Sequence, residues 1–98
     1  MMHSTFRAAY AKRLRGLADQ MADSLKDGQP RRLLAVNTDL WAALDADARS
    51  GLFPTPETLT ATLLTRARTV AEYSRHGTPE GCERLILLNR QTADLLTS

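Results

Sequence analysis

Thr78-Pro79-Glu80-Gly81-Cys82-Glu83-Arg84-Leu85-Ile86-Leu87-Leu88-Asn89-Arg90 decides the fold class. Thr78 offers an oxygen that caps a helix. Pro79 suits the first helical turn, where no amide donor is needed, and Glu80 lies near the positive end of the helix dipole. Cys82, Leu85/Ile86, Asn89, Ala93 and Leu96 then recur at three- and four-residue spacing, the period of one helix face. Thr55-Pro56-Glu57 gives the same start upstream, followed by the stripe Leu59, Leu63, Ala67, Val70 and Ser74. Gly77, after Arg75-His76, stops that helix. The duplicated start reads as convergent capping, because nothing else repeats.

The N-terminal half follows the same rule. Leu33, Asn37, Leu40/Trp41, Leu44 and Ala48 predict a helix over about 30–49, with Pro30 in its first turn. Phe6, Tyr10, Leu14, Leu17, Met21 and Leu25 predict another over about 5–26, with Ser4 or Thr5 as its cap. Asp27-Gly28-Gln29-Pro30 separates the two. Ser50-Gly51-Leu52-Phe53-Pro54 is the longest irregular stretch, and its Leu52 and Phe53 are expected to fold back onto the core. No segment competes as a strand. Short connections make sequential helices antiparallel. The expectation is one all-α domain over residues 1–98, an up-and-down bundle of four helices, or of three with a looser first one.

Composition limits the function. Of 98 residues, 43% are hydrophobic and 24% charged, ordinary globular proportions that argue against disorder. Thirteen Lys+Arg against eleven Asp+Glu leave +2, too balanced for a dedicated nucleic-acid binder. Residues 1–32 carry seven basic and three acidic groups, and residues 33–98 carry six and eight, so the basic excess lies in the first third and is small. One cysteine, Cys82, excludes an internal disulfide and a cysteine-rich zinc site. No apolar run predicts membrane insertion, and the N-terminal residues lack a secretory signal's apolar segment, so a soluble cytoplasmic protein is expected.

Charge order is unusual in the first two helices. Arg7, Lys12, Arg13 and Arg15 come early in the first and Asp19, Asp23 and Asp27 late; Arg31/Arg32 precede Asp45/Asp47 in the second. Both orders oppose the helix dipole, at a cost of about 0.3–1 kcal/mol per charge. The first helix is therefore expected to lean on packing or on a partner.

No catalytic, cofactor or metal constellation is evident. Neither His3 nor His76 has a nearby Ser/Asp or Cys partner in sequence, and His76 reads as a cation at a helix end. Asp45 and Asp47 are two residues apart, hence on different faces. Cys82 reads as a small core residue. Gly77 and Gly81 lack the spacing and lysine of a phosphate loop.

Three features stand out. Asn37 and Asn89 each replace an apolar residue in a core stripe; they bond to neighbouring backbone and fix helix register, or they serve a site. Leu85-Ile86-Leu87-Leu88 is apolar around the whole helix, so Leu87 or Leu88 faces a second surface. Thr58, Thr62, Thr65 and Thr69 form an uncharged polar line, either a core boundary or an interface with little charge to desolvate.

Leu34-Ala35-Val36-Asn37-Thr38-Asp39-Leu40-Trp41 resembles the N-x-x-L-W core of the flagellar biosynthesis regulator FlaF family of alphaproteobacteria. The resemblance continues through Asp47, Pro56 and Leu59 and closes with Leu85-Ile86-Leu87-Leu88-Asn89-Arg90, similar to the family's C-terminal L-I-x-[IL]-N-R. It covers residues 33–96; the first helix rests on pattern alone, and the family's usual N-terminal spacing and short G-L ending are absent. The resemblance implies a small helical, non-enzymatic cytoplasmic factor for flagellin synthesis and secretion. Flagellin is the implied partner, and a second regulator, FlbT, acts in opposition.

An export chaperone would cover the client's apolar helical stripe with a groove between its own helices. Leu40, Trp41, Thr58, Thr62, Thr65, Thr69, Leu85 and Leu88 are the candidate lining residues, although Trp41 also fits a small core. The alternatives are a post-transcriptional regulator of flagellin mRNA, for which only Arg7–Arg15 and Arg31/Arg32 argue directly, and a helical adaptor to FlbT or the export apparatus.

Overall fold

Three glycine- or threonine-marked breaks divide four helices. The computed structural model describes residues 2–28, 31–51 and 57–97, with side chains from residue 6 onward. The helices are α1 (Met2–Asp27), α2 (Arg31–Ser50), α3 (Glu57–His76) and α4 (Pro79–Thr97). The all-α bundle of four helices is thus the architecture. The expected roles of Pro30, Leu52, Phe53, Thr55 and Pro56, and of the side chains of His3, Ser4 and Thr5, lie outside the described residues.

The stop and start signals act as their chemistry requires. Gly28 and Gly77 follow α1 and α3 with φ of 74° and 62°, a backbone region that a side chain disfavours. Thr78 Oγ1 accepts the Gly81 amide at 3.0 Å, which caps α4. One boundary differs from expectation. α1 begins at Met2, so Ser4 and Thr5 lie inside the helix and do not precede it. No proline or glycine occurs before Gly16 to stop the helix from extending backward.

Cross-links give the topology. Arg7 Nη2 donates to the Leu95 carbonyl, Arg15 pairs with Asp94 at 2.9 Å, and Arg90 with Asp19 at 3.1 Å, so α1 and α4 run antiparallel. The Tyr10 hydroxyl donates to Asp47 between α1 and α2. Arg66 Nη1 donates to Thr92 Oγ1 at 2.7 Å, and Arg84 stacks 5.9 Å from the Tyr73 ring, between α3 and α4. Leu34 and Thr38 of α2 lie across a surface groove from Ala71 and Ser74 of α3. Sequential helices are therefore antiparallel neighbours, with α1 closing the bundle against α4. The molecule is 40 Å long, the length that the 26 residues of α1 demand at about 1.5 Å each.

α1 is not a loose appendage. Ala11, Leu14, Ala18 and Met21 are wholly buried, and α1 with α4 is the most extensively packed helix pair. Its alanines let the two backbones approach. Its charge order also has a structural reason. Two of the early bases of α1, Arg7 and Arg15, face the end of antiparallel α4, whose last turn carries no base of its own. Arg7 reaches a terminal carbonyl there, and Arg15 also donates to Thr97 at 3.2 Å. A charge order unfavourable to one helix is favourable to its antiparallel neighbour.

The predicted stripes are buried with small shifts. In α2 Leu34 is buried and Leu33 only half-buried; in α3 Ala67 and Ser74 are half-buried beside Leu59, Leu63 and Val70. In α4 Cys82, Leu85, Ile86, Asn89, Ala93 and Leu96 are all buried. The run Leu85–Leu88 divides as its excess required: Leu88 is half-buried and Leu87 is 57% exposed. Burial, with Glu83 as a lesser cause, pushes the Cys82 thiol above its usual range. Among the described residues no helix is long and apolar enough to cross a membrane.

Tyr10 makes the fold alkali-sensitive. Burial, and then its hydrogen bond to Asp47, push its pKa up to about 12. The folded state therefore favours the neutral phenol. That stabilisation is complete below about pH 10 and is lost as pH rises toward 12. Relative to Tyr10→Phe, the wild type should lose roughly 2–3 kcal/mol over that interval, measured by urea denaturation at each pH. A constant difference between the two proteins would contradict the assignment.

Candidate functional site

Asn37, Trp41 and Asn89, which carry both halves of the resemblance, meet in the centre of the bundle. Asn37 and Asn89 are fully buried, and Trp41 is 1% exposed. Trp41 Nε1 donates to Asn89 Oδ1 at 2.8 Å. Asn89 Nδ2 donates to Asn37 Oδ1 at 2.7 Å and to the Leu14 carbonyl at 3.2 Å. One amide thus joins α1, α2 and α4, the last two across the diagonal. Asn37 Nδ2 finds no partner among the described residues, so the cluster is satisfied at Asn89 and incomplete at Asn37. Where bonds to neighbouring backbone were expected, the asparagines bond chiefly to each other and to Trp41, with the Leu14 carbonyl as the one backbone partner.

The eight residues expected to line a client groove do not share a surface. Trp41 and Leu85 are core residues, enclosed because α4 brings Asn89 and Leu85 onto the same inward face. Leu40 lies on the α1/α2 side, and Leu88 is half-buried against the core. Thr62 and Thr65 line only a shallow depression on α3. Thr62 and Thr69 turn their hydroxyls back to the carbonyls of Thr58 and Thr65, at 2.9 and 3.2 Å. Arg90 is held on the surface by Asp19, and Ile86 is buried.

A different apolar groove is present. It lies between α1 and α2, holds about 570 Å³, and is lined by Ala9, Gly16, Leu17, Val36 and Leu40. Lys12 and Arg13 stand exposed along its α1 edge. Val36 is 48% exposed. Sequence reading passed over this stripe because Leu34, Asn37, Trp41 and Leu44 dominate α2. The signal was nevertheless present: Val36, Leu40 and Ala43 follow i, i+4, i+7 spacing beside the core stripe, and Gly16 occupies a helix interior where alanine is worth about 0.5–1 kcal/mol more.

A second groove, about 620 Å³, opens between α2 and the end of α3, with Arg31, Arg75 and His76 around it. Glu72 holds both Arg75 and His76 at 3.4 Å, so much of that charge is internally compensated. Asp45 and Asp47 face apart as their spacing required: Asp45 pairs with Arg49 at 2.7 Å, and Asp47 takes the Tyr10 hydroxyl. Among the described residues no cluster of His, Cys, Asp and Glu could hold a metal ion.

Compared with family models, curated proteins and solved structures, the chain matches none.

The central amides give an unequal prediction. Asn89→Ala strands the Trp41 N–H and the Asn37 carbonyl in the core and should cost about 3 kcal/mol. Asn37→Ala also removes a donor that is already unpaired, so its cost should be smaller, about 1–2 kcal/mol. Trp41 is the only tryptophan, so its fluorescence in a urea titration reads both. Equal costs would contradict the asymmetry.

Proposed function

We propose that this chain is a non-enzymatic flagellar factor of the FlaF type, which binds unassembled flagellin in the cytoplasm and promotes its synthesis and secretion. The observation that carries the binding reading is the α1/α2 groove. It is an open apolar trough between two helices, with a half-exposed valine. A groove between two helices accepts an amphipathic helix from a partner. Flagellin enters through the resemblance over residues 33–96. Asn37, Trp41 and Asn89 are far apart in sequence yet share one hydrogen-bonded cluster. Such residues define an architecture, which supports a family likeness.

The groove proposed here replaces the surface first expected around Trp41 and Leu85. RNA is the weaker partner, because two of the candidate arginines are already engaged within the bundle: Arg7 with the Leu95 carbonyl and Arg15 with Asp94. FlbT or the export apparatus would be reached by the same helical surface.

Purified chain should be titrated separately with monomeric flagellin and with a flagellin mRNA leader, at about 50 and about 200 mM salt. The expected result is a flagellin complex whose affinity changes only a few-fold between the two salts, and no RNA complex. An RNA complex weakened by orders of magnitude in salt, or no flagellin complex, would overturn the reading.

A further inference from the structure

We infer that the α1/α2 groove takes an amphipathic helix that carries carboxylates along one flank of its apolar face. The natural client's identity rests on the reading above; the chemistry of the groove is independent of it.

Three observations converge. The first is shape. Leu17 and Leu40 form the sunken part and Val36 and Ala9 the walls, over a stretch of α1 from Ala9 to Gln20. The eleven steps between these twelve residues, at 1.5 Å each, make about 16 Å, three turns of a bound helix.

The second is Gly16. It lies in the interior of α1, in an ordinary helical backbone, and a methyl group placed there would meet no other atom within 4 Å. The fold does not need this glycine, and it weakens the helix. What the missing side chain leaves is open space within the groove, where another backbone can approach closely.

The third is charge. Lys12 and Arg13 line the α1 edge of the groove, are exposed, and make no ion pair among the described residues. Two unpaired cations beside an apolar trough select a helix with acidic residues on that flank and disfavour one with lysines. They also disfavour a second copy of this chain. A two-fold contact presents the same patch from both sides and would set Lys12 and Arg13 against their own counterparts.

The test uses two synthetic peptides of about 18 residues, long enough to hold a helix. Both carry the same leucine-rich face, one with Glu along the flank and one with Lys. Fluorescence anisotropy should show the Glu peptide binding about tenfold more tightly. Lys12→Glu combined with Arg13→Glu should reverse that preference. Gly16→Leu should lower the affinity at least tenfold while leaving the melting temperature unchanged or raised, which separates groove filling from misfolding. Equal binding of the two peptides, binding of neither, or undiminished binding by Gly16→Leu would overturn the inference. So would self-association of the chain that Gly16→Leu abolishes. If the Glu peptide binds and flagellin does not, the groove stands and the flagellin reading falls. If flagellin binds wild type and Gly16→Leu alike while neither peptide binds, the reverse holds.

Discussion

The Asn89 side chain amide is enclosed by three helices, and an amide in that position must spend its hydrogen bonds or destabilise the fold. Its oxygen takes the indole N–H of Trp41 and its nitrogen serves Asn37 and the Leu14 carbonyl. Those bonds reach α1 and α2 from α4, so sliding any of the three helices by one turn would break at least one. An apolar core alone tolerates such slippage, because leucine packs against leucine with little directional preference. A buried amide does not tolerate it. Register set at the centre then decides which residues of α1 and α2 face outward at their seam, and hence where Gly16, Val36 and Leu40 come together.

Electrostatics reinforce the same arrangement from outside. α1 places its bases where α4 ends and its Asp19 opposite Arg90. Each contact is exposed and individually worth little. Together they favour the antiparallel pairing of the two chain-terminal helices over a parallel one. Lys12 and Arg13, at the groove edge, take no part in that set and make no ion pair among the described residues.

Helix number, order and most of the core were legible from apolar spacing and from the Thr-Pro-Glu starts. Spacing gives the face of a helix and not what covers it. Trp41 and Leu85 were therefore credible both as core and as client surface, and only the tertiary contacts with Asn89 and its neighbours place them inside. The reversed charge order of α1 was visible as a fault but not as a complement, because the complement belongs to a helix more than sixty residues away. A surplus residue at Leu87 or Leu88 could be forecast, whereas the groove could not. It is built from two half-stripes, one on each of two helices, and neither dominates its own helix. Gly16 was the clearest local hint, a residue whose presence no feature of α1 requires.

We propose that the molecule acts through apolar helical surface offered at the α1/α2 seam to another polypeptide. Backbone amide chemical shifts, recorded with and without unlabelled monomeric flagellin, test it most directly. The account predicts shifts confined to residues 8–20 and 33–43, with Gly16 and Val36 among the largest, and little change at Thr62, Thr65 or Leu87. Shifts centred on α3 or on the outer face of α4, or an unchanged spectrum, would contradict it.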